Sequence, residues 1–213
     1  MKLHPPKLPP LTAAPLSSTI LAAQEEELDL KGYSFAEEEG RYLVFSGDFV
    51  GCRFDHCTFL QCDFSRASFV DCQFSHCDFS NCPMEGAIFQ RVTLCHCKGV
   101  GTQLTQSHLF HTQLEHCQLS YANFAQSSWK EVRFTHCQME EANLSQCRFS
   151  HVEFSACDLS RCELLHTPLS GVDLSSCHIP GLALSPADVK GAVVNRDQAA
   201  QLALLLGLTI KED

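Results

Sequence analysis

Large apolar residues recur at every fifth position over most of this chain. The series opens at Phe49, and 23 of the 29 positions in this register from 49 to 189 are Phe or Leu. A helix repeats its faces about every 3.6 residues and a strand every 2. A period of five fits neither, so the pattern predicts neither ordinary helices nor a flat sheet.

A second, smaller class of residue stands two places before each large apolar residue. It is mostly Cys, Ala, Val, Thr or Ser, as at Cys52, Ala67 and Thr102. The remaining positions are mostly Ser, Gln, His, Asp, Glu and Arg, which is typical of a solvated surface. Two residues in every five are therefore predicted to face a core.

A longer period, four times the first, is superimposed on the period of five. Cysteine occupies every twentieth position seven times in succession, at Cys57, Cys77, Cys97, Cys117, Cys137, Cys157 and Cys177. A histidine precedes each of the first five, at His56, His76, His96, His116 and His136. This arrangement predicts coils of four five-residue sides, stacked at about 4.8 Å, the spacing of hydrogen-bonded strands.

The repeats resemble those of the pentapeptide-repeat family. The family motif has a central Leu or Phe, a small residue two places earlier, and often Asp or Asn between them, as in Ala122-Asn123-Phe124 and Ala142-Asn143-Leu144. The resemblance implies an all-β protein, a right-handed quadrilateral β-helix of about seven to eight coils with four five-residue sides per coil. After Val189 this register stops, and a C-terminal capping helix is predicted from the residues that follow.

The register divides the chain into three segments. Residues 1–43 are Pro-rich and acidic, and we expect an irregular stretch over 1–16 followed by a partial capping coil. Leu30 and Phe35 lie one residue out of the main register, which predicts a slip near 46–48. Residues 44–189 form the β-helix, and residues 190–213 form a C-terminal cap or dimer contact.

The C-terminal segment reads as one helix. Asn195 or Asp197 is suited to its N-cap and Gly207 to its end. Its apolar face, formed by Leu202, Leu205 and Leu206, either covers the last coil or contacts a second subunit. The resemblance to the quinolone-resistance branch of the family implies the second arrangement, a homodimer.

The composition predicts a cytoplasmic protein without a membrane span. Hydrophobic residues make up 45% of the chain and charged residues 19%. No apolar stretch approaches the ~20 residues of a membrane helix. Prolines between residues 5 and 15 interrupt the place where a secretion signal would have its apolar centre.

The 14 cysteines are interpreted as small apolar core residues. Thirteen occupy the small inward position, and stacked coils would hold their Cβ atoms farther apart than the ~3.8 Å of a disulfide. Reduced thiols in packing contacts are therefore favoured over disulfide or redox roles. Cys95 alone points outward by register, and its exposure is interpreted as incidental.

The histidine column formed by His56, His76, His96, His116 and His136 has two interpretations. Five imidazoles at ~4.8 Å intervals could bind a divalent metal or respond to pH. Side chains on a flat face point in parallel, however, whereas metal ligands must converge. Surface stacking is favoured, with no metal and no cofactor, and a metal-binding histidine face is the alternative.

The sequence predicts a protein that is not an enzyme. Its polar residues lie outside a filled rod, and no loop interrupts the register to form a pocket. The function must then lie on the outer surface. A protein partner is expected, whereas direct binding to nucleic acid or to a membrane is not, because the rod is acidic.

The family resemblance implies a DNA-mimicking protein that binds DNA gyrase or topoisomerase IV and protects it from quinolones or toxins. Residues 44–189 carry 15 acidic and 8 basic residues, a formal charge of −7. The candidate partner-binding residues are Glu115, Tyr121, Glu140, Glu141 and Phe110. The alternative is a general scaffold for another protein partner.

Overall fold

Every fifth residue turns the chain through a corner. In the computed structural model, which describes residues 2–211 apart from the side chain of Leu206, each fifth residue from Gly51 to Gly171 has a positive φ, between 49° and 79°. Four such corners close a square coil. The predicted pentapeptide-repeat β-helix is confirmed, with about seven turns.

Short parallel strands form the sides of the coils. They are β1 Thr12–Ala13, β2 Leu30–Lys31, β3 Tyr33–Ala36, β4 Glu39–Arg41, β5 Asp48–Val50, β6 Arg53–Asp55, β7 Thr58–Leu60, β8 Ser68–Val70, β9 Gln73–Ser75, β10 Ile88–Gln90, β11 Thr93–Cys95, β12 His108–Glu115, β13 Ser128–Thr135 and β14 Arg148–Ser155. Phe49 pairs with Phe69, which pairs with Phe89. Each step is one full coil, as the cysteine and histidine columns predict.

Aromatic rings stacked from coil to coil fill the interior. The rings of Phe49 and Phe69 are parallel within 2° with centroids 5.0 Å apart, and those of Phe54 and Phe74 are 4.6 Å apart. Such pairs contribute about 0.5–1.5 kcal/mol each beyond the area they bury. Gly99 leaves no gap in this stack, because a Cβ there would lie 2.6 Å from the Phe79 ring.

The small inward residues also hydrogen-bond. The Thr102 hydroxyl donates to the Phe79 carbonyl at 2.9 Å, and the Thr167 hydroxyl donates to the Leu144 carbonyl at 2.7 Å. Cys147 donates in the same way to the carbonyl of Phe124, in the preceding coil. This explains why Cys, Thr and Ser share one position, which the sequence pattern left unexplained.

All 14 cysteines are unbridged, and every one except Cys95 is buried, as the register predicts. Burial raises the pKa of the Cys82, Cys147 and Cys162 thiols to about 12. These thiols stay protonated at neutral pH and are poor nucleophiles. Burial also raises the pKa of Cys95, so it is not an activated thiolate.

The Asp or Asn of the repeat motif shapes the turn that follows it. The Asp63 carboxylate accepts a hydrogen bond from the Ser65 backbone N–H at 2.8 Å, and Asn143 accepts one from Ser145 at 2.9 Å. A side chain that satisfies the backbone two residues later is the usual reason for Asp and Asn in turns.

The first coil is paired one residue out of step. Leu30 pairs with Phe49 and Phe35 with Phe54, so each pair falls one position short of a full coil. The offset persists to the bridge between Val44 and Asp63, and the full-coil step begins at Asp48. The slip therefore lies where the sequence placed it.

A helix that the sequence analysis did not predict covers the open first coil. Helix α1, Leu16–Glu25, buries Leu16, Ile20 and Ala23. No side chain caps its first turn, so the usual sequence signal for a helix start is missing. Its apolar residues at i, i+4 and i+7 are stabilised by packing on the coil.

The N-terminal stretch expected to be irregular has no helix or strand over the described residues 2–11, but it lies against the coils. Residues 2–13, called the arm below, are extended along the outside of the coils, and β1 pairs in parallel with β3. Thr12 N–H donates to the Gly32 carbonyl at 2.8 Å. The arm is held by contacts with residues distant in sequence, which local pattern reading does not detect.

Helix α2, Arg196–Ala203, covers the other end of the stack, followed by a 3₁₀ turn at Leu204–Leu206. Asn195 is the N-cap and Gly207, with φ 72°, ends the segment, as predicted; the alternative N-cap at Asp197 is wrong. Asn195 and Gln198 form a reciprocal capping box.

The buried Gln198 side chain also terminates the coil stack. Its amide donates to the Leu174 carbonyl at 2.8 Å and to the Cys177 carbonyl at 2.7 Å. A further coil would otherwise have to satisfy such carbonyls.

We expect Gln198→Ala to destabilise the last coil by about 1–3 kcal/mol, because it removes the hydrogen bond to the Cys177 carbonyl, one of the two bonds to the Leu174 carbonyl and half of the capping box. Amide hydrogen exchange of residues 172–184 measures the effect. Gln201→Ala, an exposed position of the same helix, is the matched control and should leave exchange unchanged. Equal exchange in the two variants would contradict the role assigned to Gln198.

Candidate functional site

The chemistry of this protein lies on its outer surface. The internal space is lined by Phe, Leu and Met side chains with one Thr and amounts to about 30 Å³, roughly the volume of one water molecule. Polar side chains instead project from the corners, where residues 20 apart stack into four columns along the rod. These columns are the candidate interaction surfaces.

The first column is the histidine column. Its neighbouring ring centroids lie 4.6, 5.0, 4.9 and 4.9 Å apart, and the rings are parallel within 13°. All five residues have positive φ, a conformation that His, like Asn and Asp, adopts more readily than most residues. Corner geometry is therefore a sufficient reason for histidine here.

Parallel stacking does not bring the imidazole nitrogens together around one point. Among residues 2–211, no group of three or more His, Cys, Asp or Glu side chains is arranged to hold a metal ion. The metal-binding alternative for this column thus finds no support in the geometry.

A second corner carries three of the predicted partner-binding residues. Tyr121 and Glu141 share one column with Arg161, and Glu140 precedes Glu141. Tyr121 is exposed. Arg161 bonds both carboxylates, with 2.9 Å to Glu141, so this acidic corner has a formal charge of −1.

The other two predicted residues lie elsewhere. Glu115 precedes His116 of the histidine column, and its carboxylate is 3.9 Å from that imidazole. Phe110 is half-buried and precedes the corner residue His111 in a third column. The five residues therefore do not form one continuous patch.

The third column, called the arm column, contains none of the predicted partner-binding residues. It contains Gly51, Asp71, Arg91, His111, Glu131, His151 and Gly171. Its side chains pair between neighbouring coils: Arg91 bonds both oxygens of Asp71, at 2.7 and 2.6 Å, and His111 Nδ1 lies 2.5 Å from the Glu131 carboxylate. The partners in each pair lie 20 residues apart in the sequence, which is the only sequence signal of these pairs.

Asp71 is the most constrained charge of this column. It is buried, and the hydrogen bond from Arg91 is the main cause that lowers the pKa of its carboxyl below the ordinary 3.8, against the opposing effect of burial. Asp71 also accepts a hydrogen bond from the Lys7 backbone N–H at 2.9 Å. This carboxylate thus links two coils and the arm.

The fourth column contains a run of glutamines. The Gln106 amide donates to the Gln126 carbonyl oxygen at 3.2 Å, and Gln126 donates to Gln146 at 3.4 Å. A shallow groove beside them is lined by Arg148, Phe149 and Pro168. These side-chain amides hydrogen-bond mainly to one another, which indicates a structural role for this column.

The C-terminal apolar residues are divided between packing and exposure. Leu202 is half-buried against the core, whereas Leu205 is 39% exposed. The side chain of Leu206, predicted with them, lies outside the described part of the chain. Neither helix of the described residues is long and apolar enough to cross a membrane.

Comparisons with known proteins agree with the repeat pattern. A family model described as "Pentapeptide repeat region" matches residues 48–124, 67–144 and 127–204. None of the curated protein sequences matches the chain.

Several solved structures are similar to this chain. QnrB1, described as a plasmid-mediated fluoroquinolone resistance protein, is 18% identical over 84% of this chain and 100% of its own, with a TM-score of 0.43. HetL from the cyanobacterium Nostoc, described as involved in heterocyst differentiation regulation, is 16% identical over 83% and 96%, with a TM-score of 0.37. Sequence identities and TM-scores this low do not indicate the function of this chain.

We expect Asp71→Asn to cost about 2–3 kcal/mol at neutral pH, because it weakens charge-assisted hydrogen bonds. A folded-state pKa below the unfolded value stabilises the protein fully above that unfolded value, and this stabilisation is lost as the pH falls through the folded value. The difference between the variant and the parent chain should therefore shrink below about pH 4. Urea unfolding at pH 7 and pH 3 measures it; a difference that is constant over this range would contradict the assignment.

Proposed function

Because the chain belongs to the pentapeptide-repeat family, we propose that it is a non-enzymatic rod that acts by presenting its corner columns to a protein partner. The observation that supports this proposal is how each coil divides its residues between the interior and the outer surface. Two residues in five fill the interior, and the polar residues stand outside at the regular spacing of the coils. A surface of this kind recognises a partner through shape and charge.

We propose DNA gyrase, or the related topoisomerase IV, as the partner, bound through mimicry of duplex DNA and with protection from quinolones or toxins as the outcome. The family resemblance and the acidic surface support this choice. Seven coils span about 34 Å at 4.8 Å per coil, over which duplex DNA carries about 20 negative charges. The rod carries a formal −7, so its mimicry would rest on shape together with a reduced charge.

The C-terminal end is proposed as a contact between two copies of the chain. Val193, Leu204, Leu205, Leu208 and Ile210 are 39–61% exposed there. Exposed apolar residues concentrated at one end of a rod favour association. Light scattering at two protein concentrations tests this arrangement, and a monomer at both would leave α2 as a cover for its own coil.

Gyrase supercoiling with purified protein tests the partner. We expect inhibition, or protection against a fluoroquinolone, that weakens as salt is raised, because screening weakens charge-based binding. No effect well above micromolar protein would contradict gyrase binding and favour the general scaffold, whose partner would be sought by affinity capture.

Charge variants of the acidic corner sharpen this test. We expect Glu140→Gln together with Glu141→Gln to weaken the effect on gyrase severalfold, and Arg161→Gln to strengthen it, because Arg161 neutralises one of the two carboxylates. Glu85→Gln together with Glu163→Gln, at two exposed acids outside this corner, removes the same number of charges and is the control for net charge. The same change from this control as from the Glu140 and Glu141 double variant would show that the acidic corner is not the contact.

A further inference from the structure

Residues 4–9 of the arm cross the coils along the rod axis, whereas β1 at its C-terminal end extends the sheet beside β3. Pro9 packs on Gly51, the Lys7 N–H donates to Asp71, and the His4 ring lies edge-on to the His111 ring with centroids 4.6 Å apart. These three contacts follow the arm column over four coils, from Gly51 through Asp71 to His111. Residues 4–9 therefore follow a single track on the surface.

The length that residues 4–9 of the arm can span matches the spacing of the coils. Gly51 and His111 are three coil steps apart, about 14 Å. The five steps from Pro9 to His4 cover about 16 Å as a polyproline II helix, which rises ~3.1 Å per residue. Pro5, Pro6, Pro9 and Pro10 favour this conformation because each fixes φ at about −65°. The match of rise to coil spacing suits a proline-rich segment.

Two glycines form a notch for a proline ring. A Cβ at Gly51 would lie 2.5 Å from the Pro9 Cδ and 3.1 Å from its Cγ, and a Cβ at Gly32 would lie 3.4 Å from the same Cγ. Both glycines occupy corner positions with positive φ. Gly171 and Gly191 occupy corners at the other end of this column, but a Cβ at Gly171 would have nothing within 4 Å and one at Gly191 would meet Ser170, so the contact with a proline ring is specific to Gly32 and Gly51.

Beyond the notch, the arm column hydrogen-bonds to the backbone of the arm and complements its charge. Asp71 accepts a main-chain N–H, and Arg91 fixes its orientation. The first 24 residues contain Lys2 and Lys7 and no acidic residue, whereas the rest of the chain has 13 basic and 25 acidic residues, a formal −12. An extended basic segment is therefore complementary to the rod that it lies on.

We propose that the arm column, from the Gly32–Gly51 notch through Asp71 to His111, is a binding site for an extended, proline-rich, basic segment of a partner protein. The chain's own arm occupies this site in the isolated protein. Because the arm is part of the same chain, its effective concentration at the site is about millimolar. A partner segment of equal affinity must exceed this concentration to displace the arm. The proposal does not depend on gyrase being a partner.

Full-length Lys7→Pro tests occupancy of the site. Proline at this position removes the N–H donated to Asp71, whereas the matched control Lys7→Ala keeps it. The probe is a fluorescein-labelled peptide of residues 3–13, measured by fluorescence anisotropy. We expect the Lys7→Pro chain to bind it at least tenfold more tightly than the parent chain, and the Lys7→Ala chain to resemble the parent. Absence of binding to Lys7→Pro at millimolar protein, or equal binding to all three chains, would overturn the proposal.

A second pair of variants locates the site. Gly51→Ala added to the Lys7→Pro chain should reduce peptide binding at least tenfold, because the new methyl group fills the notch. Gly171→Ala is the matched control: it lies in the same column with φ 79°, so it carries the same backbone strain, and nothing lies within 4 Å of its Cβ. An equal loss of peptide binding from Gly51→Ala and Gly171→Ala would contradict the role assigned to the notch. If the parent chain forms dimers that the peptide dissociates, the arm of a second copy fills the site. That result would overturn the proposal that a different protein is the occupant.

Discussion

The left-handed conformation required at every fifth residue is the constraint on which the rest of this structure depends. It turns the chain through four corners per coil, and so it places residues 20 apart directly above one another. Once that stacking exists, the aromatic columns, the thiol and hydroxyl bonds to earlier carbonyls, and the outer ladders all follow. A chain without these corners would have no reason to keep a period of five.

The same constraint decides where sequence can vary. Interior positions must fill a narrow square with large apolar groups, and their small companions must pack and hydrogen-bond. Corner positions must only tolerate a positive φ, which Gly, Asn, Asp and His do best. Each column can therefore carry its own chemistry: stacked imidazoles in one, paired carboxylates and Arg161 in another, and a proline notch with Asp71 in a third. Recognition on such a rod is distributed along columns.

The sequence predicted the fold well because its signal is periodic and local. The register of five, the seven-cysteine column and the slip before Asp48 each correspond to a feature of the coils. Helix α1 was missed because it has no N-cap side chain and gains its stability from the coil beneath it. The arm was missed because its contacts, such as that of Lys7 with Asp71, join positions far apart in the chain. Of the candidate partner-binding residues, Tyr121, Glu140 and Glu141 lie at one corner, whereas Glu115 and Phe110 lie beside two others.

The most direct test of the corner constraint is a comparison of His116→Val with His116→Asn by thermal and urea unfolding. Both substitutions remove the imidazole from its stack, but only valine, which is β-branched, strongly disfavours the positive φ of 52° found there. We expect valine to cost about 1–2 kcal/mol more than asparagine. Equal stability of the two variants would contradict the claim that the left-handed corner governs this fold.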